Sequence, residues 1–397
     1  MGRVHQGHTL KVNMKTEDKY DGFEIGLIRP PSEANSLLLR ITRNCPWNKC
    51  KFCGLYKGEK FSIRSVSHVI KDVDLLKQFV DDIHGISKKP EELARRELNE
   101  LQDRLSENEW MAYHSAINWY QSGMRSIFLQ DANSLIMKPE DLIQILKYLR
   151  EVFPHIERIT SYARSSSLAR ISEEDMALIY KAGLNRIHVG MESASDEVLK
   201  FVNKGVDKAT HIIAGQKVKN AGIELSEYFM PGLGGETLSE ANALETADAM
   251  NQTNPDFIRI RTLAVPEGLE LFKDCQSGAF TKMGEVRVAE ELLLFLESLE
   301  GITSTVKSDH ILNLLEEVEG TLPHDKERMT APIKQFLAMP PEKQVLYMVG
   351  RRAGIFSKLS DMEDPLRRQR AEQACKAKNI TPDNVDSYTA ELMKRFI

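Results

Sequence analysis

Short apolar runs alternate with longer amphipathic segments along most of this chain. Six β-prone runs predict strands at residues 37–42, 125–131, 158–163, 186–191, 223–230 and 257–265. Helical spacing predicts helices at 66–86, 91–121, 139–152, 172–182, 196–220, 237–251 and 286–299. Strands that alternate with long helices indicate parallel βαβ units.

The pattern therefore predicts an α/β fold, a partial (β/α)6 TIM-like barrel. An irregular N-terminal arm is expected at 1–36 and the core barrel at 37–301. One crossover helix suffices between strands, so the extra helical segment at about 90–122 is interpreted as an insertion after the first strand. The strand pattern stops after the core, which predicts a helical C-terminal extension at 302–397.

Composition narrows the function classes. The formal net charge is −5, whereas a dominant nucleic-acid interface is usually basic, so nucleic acid is not the expected partner. No apolar run approaches the roughly 20 residues of a membrane span, and the N-terminus lacks the apolar core of a signal peptide. Free thiols fit a reducing compartment, which predicts a cytoplasmic protein.

Three of the five cysteines, Cys45, Cys50 and Cys53, lie together as C-x4-C-x2-C directly after the first predicted strand. Three thiolates at this spacing indicate a soft metal site. Structural zinc usually takes four ligands, and no second pair follows; a disulfide would leave one thiol over. An iron–sulfur cubane on three thiolates would keep one iron without a protein ligand. Zinc binding and simple electron transfer stay open as alternatives.

With Phe52 before the last cysteine, this loop resembles that of the radical S-adenosylmethionine (SAM) superfamily, in its Elp3/HemN-like branch. The resemblance implies a (β/α)6 barrel with a [4Fe-4S] cluster on Cys45, Cys50 and Cys53. It also implies SAM as cofactor, reductive cleavage to a 5′-deoxyadenosyl radical, and an electron donor such as flavodoxin or ferredoxin. This chain has one residue more in the first gap than the commonest family spacing, C-x3-C-x2-C.

The resemblance implies SAM contacts at the carboxyl ends of the later strands. At the second strand Asp131, Asn133 and Ser134 stand where the family usually has a GGE-like motif for the SAM ammonium group. Arg164 is the candidate for the SAM carboxylate, and Glu192 resembles the family's ribose ligand. The remaining candidates for SAM binding are Ser161 at the third strand and Gly232 and Gly234 at the fifth.

The catalytic residue is not fixed by the sequence, and the candidates are Cys275 and His310. For Cys275 the competing interpretation is a small buried hydrophobe, and for the segment of His310 it is a helix start. Arg259 and Arg261 alternate along the sixth strand and could both point into the barrel, towards an anion or a buried partner. The arginines of the C-terminal tail are interpreted as a solvated face.

The segment before the barrel is too short for a cobalamin domain, and the tail is too short for an acetyltransferase domain. The two remaining cysteines are too few for a second-cluster extension. The expectation is therefore a single-cluster enzyme with a small-molecule substrate. An RNA-modifying enzyme of the same family stays an alternative.

Overall fold

The computed structural model describes residues 19–86 and 105–394. The first half of the predicted arm and the start of the predicted insertion, residues 1–18 and 87–104, lie outside the described residues. No helix within the described ranges combines the length and the apolar character needed to cross a bilayer.

The centre of the fold is an eight-stranded sheet whose order is β1-β4-β5-β6-β7-β8-β9-β10. Its strands are β1 (Leu37–Arg40), β4 (Ser126–Gln130), β5 (Arg158–Ala163), β6 (Leu184–Glu192), β7 (Glu224–Phe229), β8 (Phe257–Ile260), β9 (Thr305–Lys307) and β10 (Gly320–Thr321). All neighbours from β1 to β9 pair in parallel, and β10 pairs antiparallel to β9. Two short strands, β2 (Thr42–Arg43) and β3 (Ser62–Ile63), form a separate antiparallel pair beside the cysteine loop.

Helices connect and cover the strands. In chain order they are α1 (Val66–Ile86), α2 (Glu107–Gln121), α3 (Pro139–Val152), α4 (Ser165–Leu168), α5 (Glu173–Lys181), α6 (Asp196–Phe201) and α7 (Lys208–Asn220). They continue with α8 (Gly235–Thr253), α9 (Glu270–Ser277), α10 (Glu285–Glu297), α11 (Lys326–Leu337), α12 (Pro341–Arg352), α13 (Pro365–Ala377) and α14 (Val385–Met393).

Alternation along the strands separates a helix-facing layer from the barrel interior. In β4, Ile127 and Leu129 belong to the apolar core that packs against the helices, together with residues of α1 and α3. Phe128 lies on the opposite face, where its ring contacts those of Tyr162 and His188. Successive side chains of a strand point to opposite faces, so the interior of the barrel is lined by a different and more polar set of residues.

The predicted partial (β/α)6 barrel is confirmed, and its six strands are β1 and β4 to β8. The expectation that strands end before residue 302 is wrong. Strand β9 extends the parallel sheet inside the segment predicted as a helical extension. Its three residues are too few to show a period, and it is fixed by backbone pairing with β8 rather than by a local apolar pattern. The rest of that segment holds β10, irregular connections and helices α11 to α14, so the prediction of C-terminal helices is confirmed.

The described part of the N-terminal arm lies across the ends of β1 and β4. The Gln130 side chain accepts a hydrogen bond from the Gly26 backbone N–H at 2.8 Å and donates one to the Ile28 carbonyl at 2.6 Å. Glu24 forms ion pairs with Arg40, Arg43 and Arg64. These contacts tie an otherwise irregular segment to the strand ends on which the cysteine loop begins.

Two histidines with almost no exposed surface, His188 in β6 and His211 in α7, should make stability depend on pH. Burial lowers the pKa of His188 to about 4 and that of His211 to about 3. Because both values lie below that of the unfolded chain, the unfolded chain takes up protons first as pH falls below about 6.5. We expect the free energy of unfolding to decrease by about 2 kcal/mol per histidine between about pH 6.5 and pH 5.

Urea unfolding of the metal-free protein across this pH range measures the effect. The variant His211→Asn, which keeps a partner for the Ser165 hydroxyl, should have a shallower pH dependence. The exposed His155 provides the matched control, since His155→Asn should leave the slope unchanged. An equal slope in His211→Asn and in the parent protein would contradict the assignment.

Candidate active site

The cysteine loop leaves the carboxyl end of β1, and contacts from distant parts of the chain hold it in place. Cys45, Cys50 and Cys53 are free thiols of intermediate exposure. The Lys51 N–H donates to the Val202 carbonyl at 2.9 Å, and the Trp47 indole N–H donates to the Asn203 carbonyl at 2.7 Å. The turn after α6 therefore fixes the middle of the loop.

Asp131 anchors the start of the loop. Its carboxylate is fully buried and accepts hydrogen bonds from Arg40 at 2.9 Å, from the Asn44 backbone N–H at 3.3 Å and from the Tyr56 hydroxyl. Asn44 has φ 65°, a left-handed conformation that asparagine tolerates well. Both carboxylate oxygens of Asp131 are thus engaged by the protein itself. Gly26 of the arm lies against this carboxylate, because a Cβ there would lie 2.8 Å from Asp131.

Glu192 and Lys204 form an ion pair at the end of β6. The distance from Oε2 of Glu192 to Nζ of Lys204 is 2.5 Å. Glu192 has φ 69°, and the register of the β6–β7 pairing shifts between Val189 and Glu192, so the strand turns its last side chain at this point. Gly190 makes room for the pair, because a Cβ there would lie 2.8 Å from Oε1 of Glu192.

Lys204 and Arg164 bring positive charge to the cysteine loop. The Lys204 ammonium lies 5.6 Å from the ring centre of Phe52, and the Arg164 guanidinium lies 5.2 Å from that of Trp47. Burial raises the pKa of Cys50 to about 11, and the charges of Lys204 and Arg164 act in the opposite direction. These two cations therefore favour thiolates at the loop.

The polar candidates at the ends of β4 and β5 have partners within the protein. Asn133 accepts a hydrogen bond from the Arg164 N–H at 3.0 Å and donates to the Ser167 hydroxyl at 2.8 Å. The hydroxyls of Ser134 and Ser161 both donate to the Leu129 carbonyl, at 3.2 and 3.1 Å. These contacts hold the two strand ends together.

The glycine-bearing segment follows β7, which is the neighbour of β6 in the parallel sheet. Gly232 has φ 87°, and its N–H donates to the buried carboxylate of Glu291 at 2.9 Å. A Cβ on Gly234 would lie 2.5 Å from the Leu238 carbonyl oxygen, so only glycine fits the turn into α8. The predicted SAM candidates thus lie at or near the carboxyl ends of β4, β5, β6 and β7, which are neighbours in the sheet, while each one's role stays a prediction.

The barrel interior holds a second polar group, which starts from Tyr162 and Tyr228 on β5 and β7. Their hydroxyls are hydrogen-bonded to each other, and burial raises the pKa of both. Arg259 is 3% exposed and pairs with Asp309 at 2.5 Å. Arg261 follows two residues later, just beyond the end of β8, and is exposed. It lies near the two tyrosines, and its guanidinium has no ion pair or hydrogen bond among the described residues.

The two candidate catalytic residues lie in different surroundings. His310 belongs to the segment after β9, where burial and the positive charge of Arg261 lower its pKa to about 4. It is therefore a neutral imidazole at neutral pH. The segment forms no helix, so the interpretation of a helix start is wrong. Cys275 lies in α9 and packs against a small apolar cluster that includes Phe280 and Leu271. Those contacts favour a structural role for Cys275.

Sequence reasoning missed Lys204 and the anchoring of the loop by Asp131. Lys204 lies in the turn after α6, between two residues with positive φ, Asn203 and Gly205. The only available signal was this N-K-G turn, which is also typical of an ordinary loop. The pairing of Asp131 with Arg40 joins residues far apart in the chain, so it becomes visible only when β1 and β4 are placed side by side.

The donor set fits an iron–sulfur cluster. Three cysteine thiolates on one loop are ligands that an iron–sulfur cubane takes, and they would leave its fourth iron without a protein ligand. The loop offers three cysteines, neighbouring cations and a position at the carboxyl ends of parallel strands.

A partial barrel with a three-cysteine loop after its first strand defines a class of metal-dependent enzymes that act on a cofactor in the barrel mouth. The sequence pattern of the Radical SAM superfamily matches residues 39–247, more than half of the 397 residues. The chain belongs to the radical SAM superfamily and is a radical SAM enzyme, whose cofactors are a [4Fe-4S] cluster and SAM. The predicted family, fold class and cofactors are confirmed.

Similarity to individual proteins is more distant. The tRNA uridine(34) acetyltransferase of Methanocaldococcus infernus is 28% identical over 120 residues, which are 30% of this chain and 22% of that protein. An uncharacterized methyltransferase of Pyrococcus horikoshii is 23% identical over 281 residues, which are 70% of this chain and 45% of that protein. The chain thus spans less than half the length of these curated relatives.

Among solved structures, the Elp3 of Methanocaldococcus infernus with an N-terminal deletion aligns with a TM-score of 0.37 at 19% identity, covering 47% of this chain and 48% of that one. Coproporphyrinogen III oxidase (HemN) from Escherichia coli aligns with a TM-score of 0.39 at 17% identity, covering 63% of this chain and 50% of that one.

Proposed function

We propose that this chain cleaves SAM reductively at a [4Fe-4S] cluster held by Cys45, Cys50 and Cys53, and directs the resulting 5′-deoxyadenosyl radical at a small anionic molecule inside the barrel. The observation that carries the proposal is the position of the cysteine loop beside Glu192, Lys204 and the barrel interior. When bound, the cluster and SAM supply the radical chemistry, and the protein supplies orientation and exclusion of side reactions.

In this proposal Glu192 accepts hydrogen bonds from the SAM ribose hydroxyls, and Lys204 holds its carboxylate in place. Arg164 is the proposed partner of the SAM carboxylate, because its guanidinium lies on the Trp47 ring beside the cysteine loop. Asp131 is proposed to position the loop rather than to contact SAM, since protein donors already engage both of its oxygens.

The substrate is proposed to be an anion because the positive charge of Arg261, near the barrel interior, is not balanced by an ion pair among the described residues. Arg259 is neutralised by Asp309, whereas Arg261 has no such partner in the described part of the chain. The hydroxyls of Tyr162 and Tyr228 and the neutral His310 lie near its guanidinium. A carboxylate or phosphate paired with Arg261 would also receive hydrogen bonds from these neighbours.

An acidic redox protein is the proposed electron donor. Lys49, Lys57 and Lys60 on the cysteine loop and its continuation are all exposed. Positive charge on the surface of the cysteine loop favours encounter with a negatively charged carrier such as flavodoxin or ferredoxin.

An RNA substrate receives less support. The tail arginines are not a free basic surface: Arg352 is 4% exposed and pairs with Glu285, and Arg351 pairs with Glu316. Arg367 pairs with Asp361. The interpretation of this group as a simple solvated face is therefore wrong for Arg352. Salt-dependent binding of tRNA by the reconstituted enzyme would support the alternative of an RNA-modifying enzyme.

The test is anaerobic reconstitution with iron and sulfide, followed by addition of SAM and dithionite. We expect 5′-deoxyadenosine to form only when both are present, and Glu192→Gln to weaken SAM binding by about tenfold or more, the value of one hydrogen bond to a charged group. Glu197→Gln, in the exposed first turn of α6, is the matched control and should bind SAM normally. A reducible cluster that never cleaves SAM would instead indicate an electron carrier.

A further inference from the structure

A partly open cavity of about 280 Å³ lies outside the barrel, between β8 and the last helices of the chain. Its floor is the end of β8 and the segment after it, and its walls are α10, the loop before residue 316, and α14. Ile260, which lines the cavity, belongs to the helix-facing core, whereas Arg259 beside it points into the barrel and pairs with Asp309. Because neighbouring residues of a strand point to opposite faces, this cavity is distinct from the barrel interior.

One wall of the cavity is apolar and the other is charged. The apolar wall consists of Val288, Ala289, Leu292, Leu314, Leu315 and Met393. The charged wall consists of Lys282, Glu285, Arg352 and Asp386. A volume near the lower end of ligand cavities, about 300 Å³, suits a small metabolite with an apolar body and a polar head.

The charged wall is built around Glu285, the first residue of α10. Glu285 is 8% exposed, and its Oε1 accepts a hydrogen bond from Nε of Arg352 at 2.8 Å. Its Oε2 has no hydrogen-bond partner among the described residues. A buried acceptor left without a hydrogen bond is unfavourable, so this oxygen favours a ligand that brings an N–H donor.

Lys282 supplies the opposite charge. It lines the cavity and forms no ion pair within the described ranges, while burial lowers the pKa of its ammonium group. Arg352 is already engaged, since it donates to Glu285 and to the Leu312 carbonyl. Asp386 is engaged as well, because it accepts the Glu285 backbone N–H at 3.1 Å and so caps α10. The groups left for a ligand are therefore the Lys282 ammonium, the buried Oε2 of Glu285 and the second, exposed oxygen of Asp386.

Hydrogen bonds of Asn313 fix the floor of the cavity. Asn313 accepts a hydrogen bond from the Thr262 N–H at 2.9 Å and donates to the Ile260 carbonyl at 2.8 Å. The cavity is thus framed by hydrogen bonds between the barrel and the segment that follows β9.

We propose that this cavity is a second small-molecule site, which binds a zwitterion of the α-amino-acid type with an apolar side chain. The ligand ammonium donates to Oε2 of Glu285, its carboxylate pairs with Lys282, and its side chain packs against Val288, Leu292 and Met393. The site does not depend on the cluster or on SAM.

Titration calorimetry with L-leucine, on the reconstituted full chain, tests the proposal. We expect L-leucine to bind, and isocaproate and isopentylamine, which each lack one charged group, to bind at least about tenfold more weakly. Lys282→Met and Glu285→Gln should each weaken the binding of L-leucine by a similar factor. Lys282→Met keeps the Glu285–Arg352 pair, so it stays informative where Glu285→Gln fails to fold. Glu290→Gln, exposed on the same helix, should bind normally.

Three outcomes would overturn the inference. The first is the absence of binding by L-leucine, L-valine and L-phenylalanine alike. The second is equal binding of L-leucine by Lys282→Met and the parent protein. The third is competition between L-leucine and SAM, which would place the ligand in the barrel. Formation of 5′-deoxyadenosine is measured separately, so failure here leaves the proposed reaction unaffected.

Discussion

Replacing Cys50 by alanine should remove both the iron–sulfur cluster and SAM cleavage. Cys50 is the middle thiol of the loop, and the charges of Lys204 and Arg164 oppose the rise of its pKa that burial causes. With one of three thiolates gone, a cubane would keep only two protein ligands. Loss of a residue that only hydrogen-bonds to a metal ligand costs about 10–100-fold in metal affinity or activity, so loss of a ligand itself should cost at least about 100-fold.

Iron content, visible absorbance and the rate of 5′-deoxyadenosine formation measure the effect after identical reconstitution. Cys275→Ala is the matched control: it also removes a partly buried cysteine, but one that packs in a small apolar cluster of α9. We expect that variant to keep iron and activity. Normal turnover of SAM by Cys50→Ala would refute the ligand assignment, and zinc bound in place of iron would refute the cluster.

Local patterns determined how much of the fold was predictable. The helix predicted at 66–86 is Val66–Ile86, because its apolar positions recur at helical spacing on one face. The helix predicted at 139–152 is Pro139–Val152, since proline is favoured at the first helical turn. Strand β9 has no comparable signal, as three residues are defined by pairing with β8 and not by their own pattern.

The candidate site also contains residues that a local sequence pattern reveals and residues that only the fold reveals. The three cysteines are close in sequence, so a soft metal site could be inferred from their spacing, and the cluster and SAM were implied by the resemblance to the radical SAM superfamily. The ion pair of Glu192 with Lys204 depends on a strand end with positive φ and on a turn beyond the next helix. Neither feature has a sequence period, and the partner of Glu192 could not be inferred without the fold. Residues that act through distant partners are therefore the ones that the sequence left without a role.

Asp131 is a residue that acts through distant partners, and its role can be tested. We expect Asp131→Asn to destabilise the metal-free protein. The substitution removes the buried charge that pairs with Arg40, whose side chain is only 15% exposed. Breaking a buried ion pair costs about 3–5 kcal/mol. We expect the free energy of unfolding to decrease by about 3 kcal/mol, because Arg40 keeps Glu24 as a second partner. The cysteine loop should also bind the cluster less tightly, since Asn44 at its start loses a carboxylate acceptor.

Urea unfolding of the metal-free protein separates this anchoring role from direct SAM binding. Breaking the exposed Arg125–Glu157 pair with Glu157→Ala is the matched control and should change stability by less than about 1 kcal/mol. If Asp131 instead held the SAM ammonium group, Asp131→Asn would raise the KM for SAM and leave the unfolding of the metal-free protein unchanged. A loss of stability before any cofactor is added therefore supports the anchoring role, because it shows that the contacts of Asp131 with Arg40 and Asn44 act in the absence of both cluster and SAM.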